Sequence, residues 1–142
     1  MSVIAHINAY IASQKDEKRN DLQQLHQLIC ELMPNEKLWF EDGKDANGKV
    51  ISNPNIGYGT SLIHYANGSS REFYKIGISA NTTGISLYIM GLHNKTYLVD
   101  HIDARIGKAK VTSYCIKFKN LHQINLDVLS EAIRYSLNEA TT

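Results

Sequence analysis

Hydrophobic residues change their spacing several times along the chain, and each change marks a change of element. Val3, Ile4, Ile7, Tyr10 and Ile11 recur at helical spacing. Ser13-Gln14-Lys15-Asp16 then matches the capping box that opens a second helix, so the first is predicted to be short. In the second helix Leu22, Leu25, Ile29, Leu32 and Met33 form one apolar stripe, widened by Leu28. Pro34 ends it, because the residue before a proline is disfavoured in helical backbone.

From Lys37 to Gly91 the pattern alternates, which predicts sheet. Asn67-Gly68 lies between residues 60–65 and 71–76 and predicts a hairpin with a two-residue type I′ turn, both of whose central residues need positive φ. That register sets His64 opposite Arg71 and Thr60 opposite Lys75 on one face. Asn47-Gly48 is a second hairpin signal. Asn81-Thr82-Thr83-Gly84 leads into residues 85–90, whose odd positions Ile85, Leu87 and Ile89 are branched aliphatics expected to face the core. Strands joined by such short turns make a meander.

A short helix is predicted through Tyr97, Leu98, His101 and Ile102, ending before Gly107. Residues 111–119 read as a further strand, with Tyr114, Ile116 and Phe118 on one face and Cys115, Lys117 and Lys119 on the other. Asn125 caps the last helix, Ile124 and Leu129 occupy the positions of a hydrophobic staple, and Leu129, Ile133 and Leu137 continue its buried stripe. With no domain boundary and no internal repeat, the expectation is one α+β domain over residues 1–142. An antiparallel meander packs against N-terminal and C-terminal helices as a two-layer α/β sandwich.

Composition narrows the function classes. A chain of 142 residues can bury roughly 70% of its unfolded surface, and 43% hydrophobic content separates it from disordered chains. A net charge of +1 supplies no general field toward nucleic acid or an anionic membrane. No window approaches the apolar run of about 18 residues that a span requires, and residues 1–13 lack the basic start and apolar core of a signal peptide. The two cysteines, Cys30 and Cys115, form neither a disulfide framework nor a CxxC pair, so a reduced cytoplasmic setting is expected. No pattern specifies an oligomeric state.

Reactive residues form no catalytic, metal or cofactor motif, and no cofactor is expected. No two of His6, His26, His64, His93, His101 and His122 stand at the one-, three- or four-residue separations that set metal ligands on one face. Glu41, Asp42 and Asp45 crowd a turn. Aligning Gly48 with the obligatory glycine of a calcium loop puts Gly43 and Pro54 where the main carboxylates belong, so a solvated turn held by Asx hydrogen bonds is expected. No serine lies in GxSxG, neither cysteine is expected to have its thiolate fraction raised by a neighbouring histidine, and Gly57-Tyr58-Gly59 lacks the third glycine of a dinucleotide loop.

Charge distribution is more informative than its sum. Residues 1–70 carry six Lys/Arg against eight Asp/Glu, and residues 71–142 nine against six, so the halves stand at −2 and +3. Arg105, Lys108, Lys110, Lys117 and Lys119 concentrate the excess, opposed locally only by Asp103. The loop at Gly107 is expected to bring backbone N–H groups and these side chains to one anion. The alternative is a solvated sheet face whose lysines blunt an exposed edge. Tyr58, Tyr65, Tyr74, Tyr88 and Tyr114 fall on predicted strands, where such rings line a core or a pocket.

Several phrases resemble the bacterial YdhG-like domain of unknown function over the whole chain. They are the leucine-rich second helix ending in Met33-Pro34, Gly57-Tyr58-Gly59, residues 73–79 (FYKIGIS), residues 87–92 (LYIMGL), Ile106-Gly107-Lys108-Ala109, and residues 114–118 (YCIKF). The resemblance implies an α/β sandwich with the terminal helices on one side of an antiparallel sheet. Some relatives are described as frataxin-like iron chaperones, a role that needs a surface dense in carboxylates. Here Asp16, Glu17 and Asp21 interleave with Lys15, Lys18 and Arg19, which suits a solvated helix.

The expected function is therefore a non-catalytic binding or accessory domain for a small anionic or aromatic ligand beside Lys108, Lys110, Lys117 and Lys119. No specific nucleic acid and no membrane is expected as partner. The alternatives are iron chaperoning, or an enzyme whose site assembles only in the fold with His64 or His101 as base in a deep pocket.

Overall fold

Alternation along the central strands decides which face of the sheet is covered. A computed structural model describes residues 2–140; Met1, Thr141 and Thr142, the ends of the expected 1–142 domain, lie outside the described residues. Helices α1 (Val3–Ala12) and α2 (Asp16–Leu32) precede strands β1 (Leu38–Glu41), β2 (Asn55–Tyr58), β3 (Ser61–His64), β4 (Ser70–Phe73), β5 (Ile76–Asn81) and β6 (Gly84–Ile89). A π-helical turn, Leu98–Ile102, runs into α3 (Asp103–Ile106), as the spacing of Tyr97, Leu98, His101 and Ile102 predicts. Strands β7 (Lys110–Val111) and β8 (Cys115–Phe118), a 3₁₀ turn at Leu121–Gln123 and α4 (Leu126–Ala140) complete the chain. The architecture is α+β, with a six-stranded antiparallel sheet in the order β1-β2-β5-β6-β8-β7 and a separate pair β3-β4.

On the inner face Ile56, Ile78, Leu87 and Ile116 form one cross-strand row, and Tyr58, Ile76 and Ile89 another. All seven are almost fully buried and join Ile7, Ile11, Leu22, Leu25, Ile29, Leu129 and Ile133 from the helices in a single apolar cluster. The outer face carries Gly57, Gly77, Ser79, Ser86 and Lys117, so polarity as well as geometry separates the layers. Tyr74 crosses that face over the paired Gly57 and Gly77. A Cβ at Gly57 would stand 2.5 Å from Tyr74 Cβ, and one at Gly77 2.4 Å from Tyr74 Cε1.

Several sequence expectations are corrected. Asn67-Gly68 does turn a hairpin, but the turn runs from Tyr65 to Ser69 with Gly68 alone at positive φ (87°), a type I turn closed by a bulge. The extra residue shifts register by one: His64 pairs with Ser70 and Ile63 with Arg71, not His64 with Arg71 or Thr60 with Lys75. The same pairing offset relates β2 to β5, so β2-β3 and β4-β5 are one long hairpin whose ladder opens at residues 59–60 and 74–75; the meander is interrupted there. Residues 111–119 are not one strand, because Thr112 N–H bonds to Cys115 O (2.9 Å) and folds β7 back on β8. Tyr114 and Tyr65 thus lie in turns, exposed.

The Ser13 capping box is also absent. Ser13 Oγ donates back to Tyr10 O (2.6 Å), and α2 starts at Asp16 after Lys15. The Asn125 cap forms as expected, its Oδ1 accepting from Asp127 N–H (2.9 Å) and Val128 N–H (3.2 Å). Asp45 Oδ1 accepts from Asn47 and Lys49 N–H around the Gly48 turn, the Asx arrangement expected for residues 42–48. That turn joins an isolated bridge, Lys44 with Val50, rather than two strands.

Candidate functional site

Two close backbone approaches assemble the basic residues. Gly84 begins β6 against the end of β8, where a Cβ would fall 2.2 Å from Phe118 O, so no larger residue allows this contact. Gly107, at φ 105°, passes Gln123 with room for a Cβ only 2.5 Å from Gln123 O. The first contact fixes the end of β8 beside the Asn81–Gly84 turn, and the second folds residues 108–110 back toward both. Asn81 Oδ1 shapes the turn by accepting from Thr83 N–H (3.0 Å) and Thr83 Oγ1 (2.8 Å).

The result is a hollow of about 480 Å³ at this end of the sheet, lined by Lys108, Lys110, Lys117 and Lys119, with Ile85 and Phe118 among its apolar residues. Four of the five basic residues singled out in the sequence thus meet in one place. Lys110 and Lys117 stand directly opposite each other in the β7–β8 ladder. All four lysines are exposed, and none forms an ion pair or a side-chain hydrogen bond among the described residues. Like charges set face to face across a ladder repel by about 0.2–1 kcal/mol, so this grouping is not explained by sheet stability.

Arg105 does not belong to the hollow. Its guanidinium forks onto Glu131 of α4, Nη1 donating to Oε1 at 3.1 Å and Nη2 to Oε2, while Nε donates to His101 O (3.0 Å). That pairing raises the arginine pKa and holds the Glu131 carboxyl below its ordinary range. The expectation that backbone N–H groups of the Gly107 loop face an anion is corrected too. Lys108 N–H donates to Gln123 O (3.1 Å) and Ala109 N–H to Gly107 O (3.0 Å), so both amides are satisfied within the chain.

None of the five strand-assigned tyrosines lines this hollow. Tyr58 is buried and shares a 2.6 Å hydrogen bond with His26 Nδ1, and Tyr88 stacks on Tyr114 with ring centroids 6.3 Å apart. Of the two candidate bases, His101 is exposed beside Tyr97, whereas His64 lines a different hollow near Lys75. Among the described residues no group of three or more His, Cys, Asp or Glu side chains that could hold a metal ion comes together. Cys30 and Cys115 are free thiols, both pushed to higher pKa by burial. Cys30 Sγ lies 3.9 Å from His26 Nε2 one turn earlier on α2, which corrects the expectation that no histidine stands near a cysteine, although burial still raises rather than lowers the thiol pKa.

Fold and site together define an α+β protein with a lysine-lined hollow at one end of a six-stranded antiparallel sheet. The chain matches no protein-family model, no curated protein and no solved structure. No helix among the described residues is long and apolar enough to cross a membrane.

Proposed function

We propose that this chain is a non-catalytic binding domain for a small anionic ligand with an apolar or aromatic body, acting in a reduced cytoplasmic setting. The observation that carries the reading is four lysines without internal counter-ions around one hollow with apolar residues in its lining. A volume of about 480 Å³ lies in the range of small-molecule sites, which combine apolar walls with a few convergent polar groups. Ile85 and Phe118 would take the ligand's apolar part, and the ammonium groups its phosphate or carboxylate through charge-assisted hydrogen bonds. Nucleic acid fits less well, because backbone-tracking sites need a longer basic groove and a larger basic excess than +1.

Membership of the YdhG-like family belongs to the same reading. Two of the resembling phrases contain close-contact glycines, Gly57 and Gly77 under Tyr74, and a third contains Gly107. The iron-chaperone alternative has less to support it: Asp16 pairs with Arg19 (2.9 Å), and Asp21 Oδ2 accepts from Leu121 N–H (3.1 Å). A thermal-shift screen of phosphorylated and carboxylated metabolites tests the binding reading. Stabilisation by at least one compound, lost when Lys108, Lys110, Lys117 and Lys119 become Gln, is expected. No hit, or hits indifferent to those changes, overturns it. Calorimetric titration with ferrous iron is expected to be silent.

A further inference from the structure

Where the β3–β4 hairpin leaves the sheet, a second hollow of about 690 Å³ opens, lined by Ser61, His64, Lys75, Met90, His93 and Lys95 among others. Lys75 is the unusual member. It is 3% exposed, yet its amine forms no hydrogen bond or ion pair among the described residues. Gly91, at φ 71°, lies beside it: a Cβ there would stand 3.8 Å from Lys75 Nζ and 2.5 Å from Ser61 Oγ, so a larger residue would crowd the space next to the amine. The charged groups around Lys75 are Glu139 and Lys95, together with Glu36, which shares with Lys75 the wall of an adjoining smaller hollow. Glu139 is engaged elsewhere, its Oε1 accepting from His93 N–H (2.5 Å) and its Oε2 from Asn94 N–H (3.1 Å).

A buried ammonium normally finds a carboxylate, because an uncompensated charge out of water is expensive. Lys75 has none in contact, and burial pushes its amine toward the neutral form, with Lys95 acting in the same direction and Glu139 against it. A neutral amine at the wall of an open hollow is a nucleophile toward carbonyl carbon. Lys95 and His93, on the rim of the same hollow, are suited to an anionic substituent.

We propose that Lys75 is a reactive amine and that this hollow takes a small aldehyde or ketone bearing a carboxylate or phosphate, which condenses reversibly with Lys75 as an imine. The Nζ lone pair forms the C–N bond while a proton moves from nitrogen to the former carbonyl oxygen, giving a carbinolamine. The nitrogen lone pair then expels that oxygen as water once it is protonated, with His64 and His93 within the same hollow as proton donors. Loss of the remaining N–H proton leaves the imine. One amine and one carbonyl give one imine and one water, and no electron is gained or lost.

The site is distinct from the lysine-lined hollow, and its test is independent of that reading. The native chain is treated near neutral pH with limiting glyoxylate and cyanoborohydride, whose hydride reduces the iminium to a stable secondary amine, and the adducts are mapped by peptide mass spectrometry. Lys75 is expected to label severalfold faster than the exposed Lys49, Lys117 and Lys119, with the preference abolished when the chain is unfolded in urea. Labelling of Lys75 no faster than those lysines, or a preference that persists in urea, overturns the proposal. Because the comparison is made within the unsubstituted chain, it does not depend on a variant that folds.

Discussion

Replacing Lys117 by Gln separates a binding site from a merely solvated sheet face, because the two roles predict different combinations of sign. Lys117 is exposed on β8, paired with Lys110 on one side and with Ser86 on the other. In the ligand-free protein its charge faces a like charge, and removing it should stabilise the fold by about 0.5 kcal/mol. For a chain of this size that is a rise in Tm of about 2 °C. The gain should shrink as salt rises toward about 1 M, where the screening length falls to about 3 Å. With an anion bound the sign reverses: each lost charge-assisted contact weakens binding by about 1.5 kcal/mol, roughly tenfold in Kd. The assay is a pair of thermal melts at low ionic strength, with and without pyrophosphate, for the parent chain and Lys117→Gln. A variant that melts higher alone and gains less from pyrophosphate supports the site. A variant that melts lower alone, or keeps the full pyrophosphate shift, refutes the reasoning.

Other expectations follow from single contacts. Arg105→Gln removes an exposed, solvent-screened pair with Glu131, so urea midpoints should stay close to those of the parent chain and the pyrophosphate shift should be unchanged. Gly77→Ala drives a methyl group into the Tyr74 ring and should lose about 1–3 kcal/mol by urea denaturation; in a Tyr74→Ala background that loss should vanish, and additive losses would show that the ring is not the obstacle. Lys75 has a lowered pKa in the folded state, so the folded chain holds fewer protons than the unfolded one between that value and about 10.4, and this group's contribution to stability rises with pH through the window. Lys75→Met should remove that slope, read from urea midpoints at neutral and alkaline pH, and should leave stability at neutral pH equal or up to about 1 kcal/mol higher. Asn125→Ala, which removes the α4 cap, should lose about 1 kcal/mol in the same measurement.

Rules that act on single residues or fixed spacings were legible in the sequence. The α2 stripe, the buried odd positions of β6, the end of α3 at Gly107 and the Asn125 cap each depend on local periodicity or one side chain, and the structure contains all four. What failed depended on counting residues in turns. One extra residue between Tyr65 and Ser69 moved His64 from Arg71 to Ser70, and a turn at residues 112–114 with neither Gly, Pro nor Asn hid the break between β7 and β8. The lysines of the hollow were legible because they cluster within twelve residues of chain, from Lys108 to Lys119. Their neighbours Asn81, Thr83 and Ile85 were not, since only the pairing of β6 with β8 brings them there. Lys75 gave one faint signal, a lone cation between Tyr74 and Ile76 in an otherwise apolar run, but its burial follows from an opening of the ladder that no local pattern announces.

Both hollows have the same structural cause, which is interruption of the sheet at the ends of its best-ordered hairpin. Within β5–β6 every residue from Ile76 to Asn81 is paired, and the inner side chains are sealed in the core. Pairing of this kind leaves no backbone group and no cavity for a ligand. At the Asn81 end the chain must turn, β8 must stop and the Gly107 loop must return, so lysines that the sheet cannot bury collect around a gap. At the Lys75 end the β2–β5 ladder opens, and the buried Lys75 lines the resulting hollow together with Thr60, Met90 and Gly91. Six residues of strand, about 20 Å, separate the two ends. Interactions between charges that far apart are largely screened at physiological salt. On the two readings proposed above, anion binding at the lysine-lined end and carbonyl capture at Lys75 should therefore proceed independently, so pyrophosphate should leave the rate of Lys75 labelling by glyoxylate unchanged.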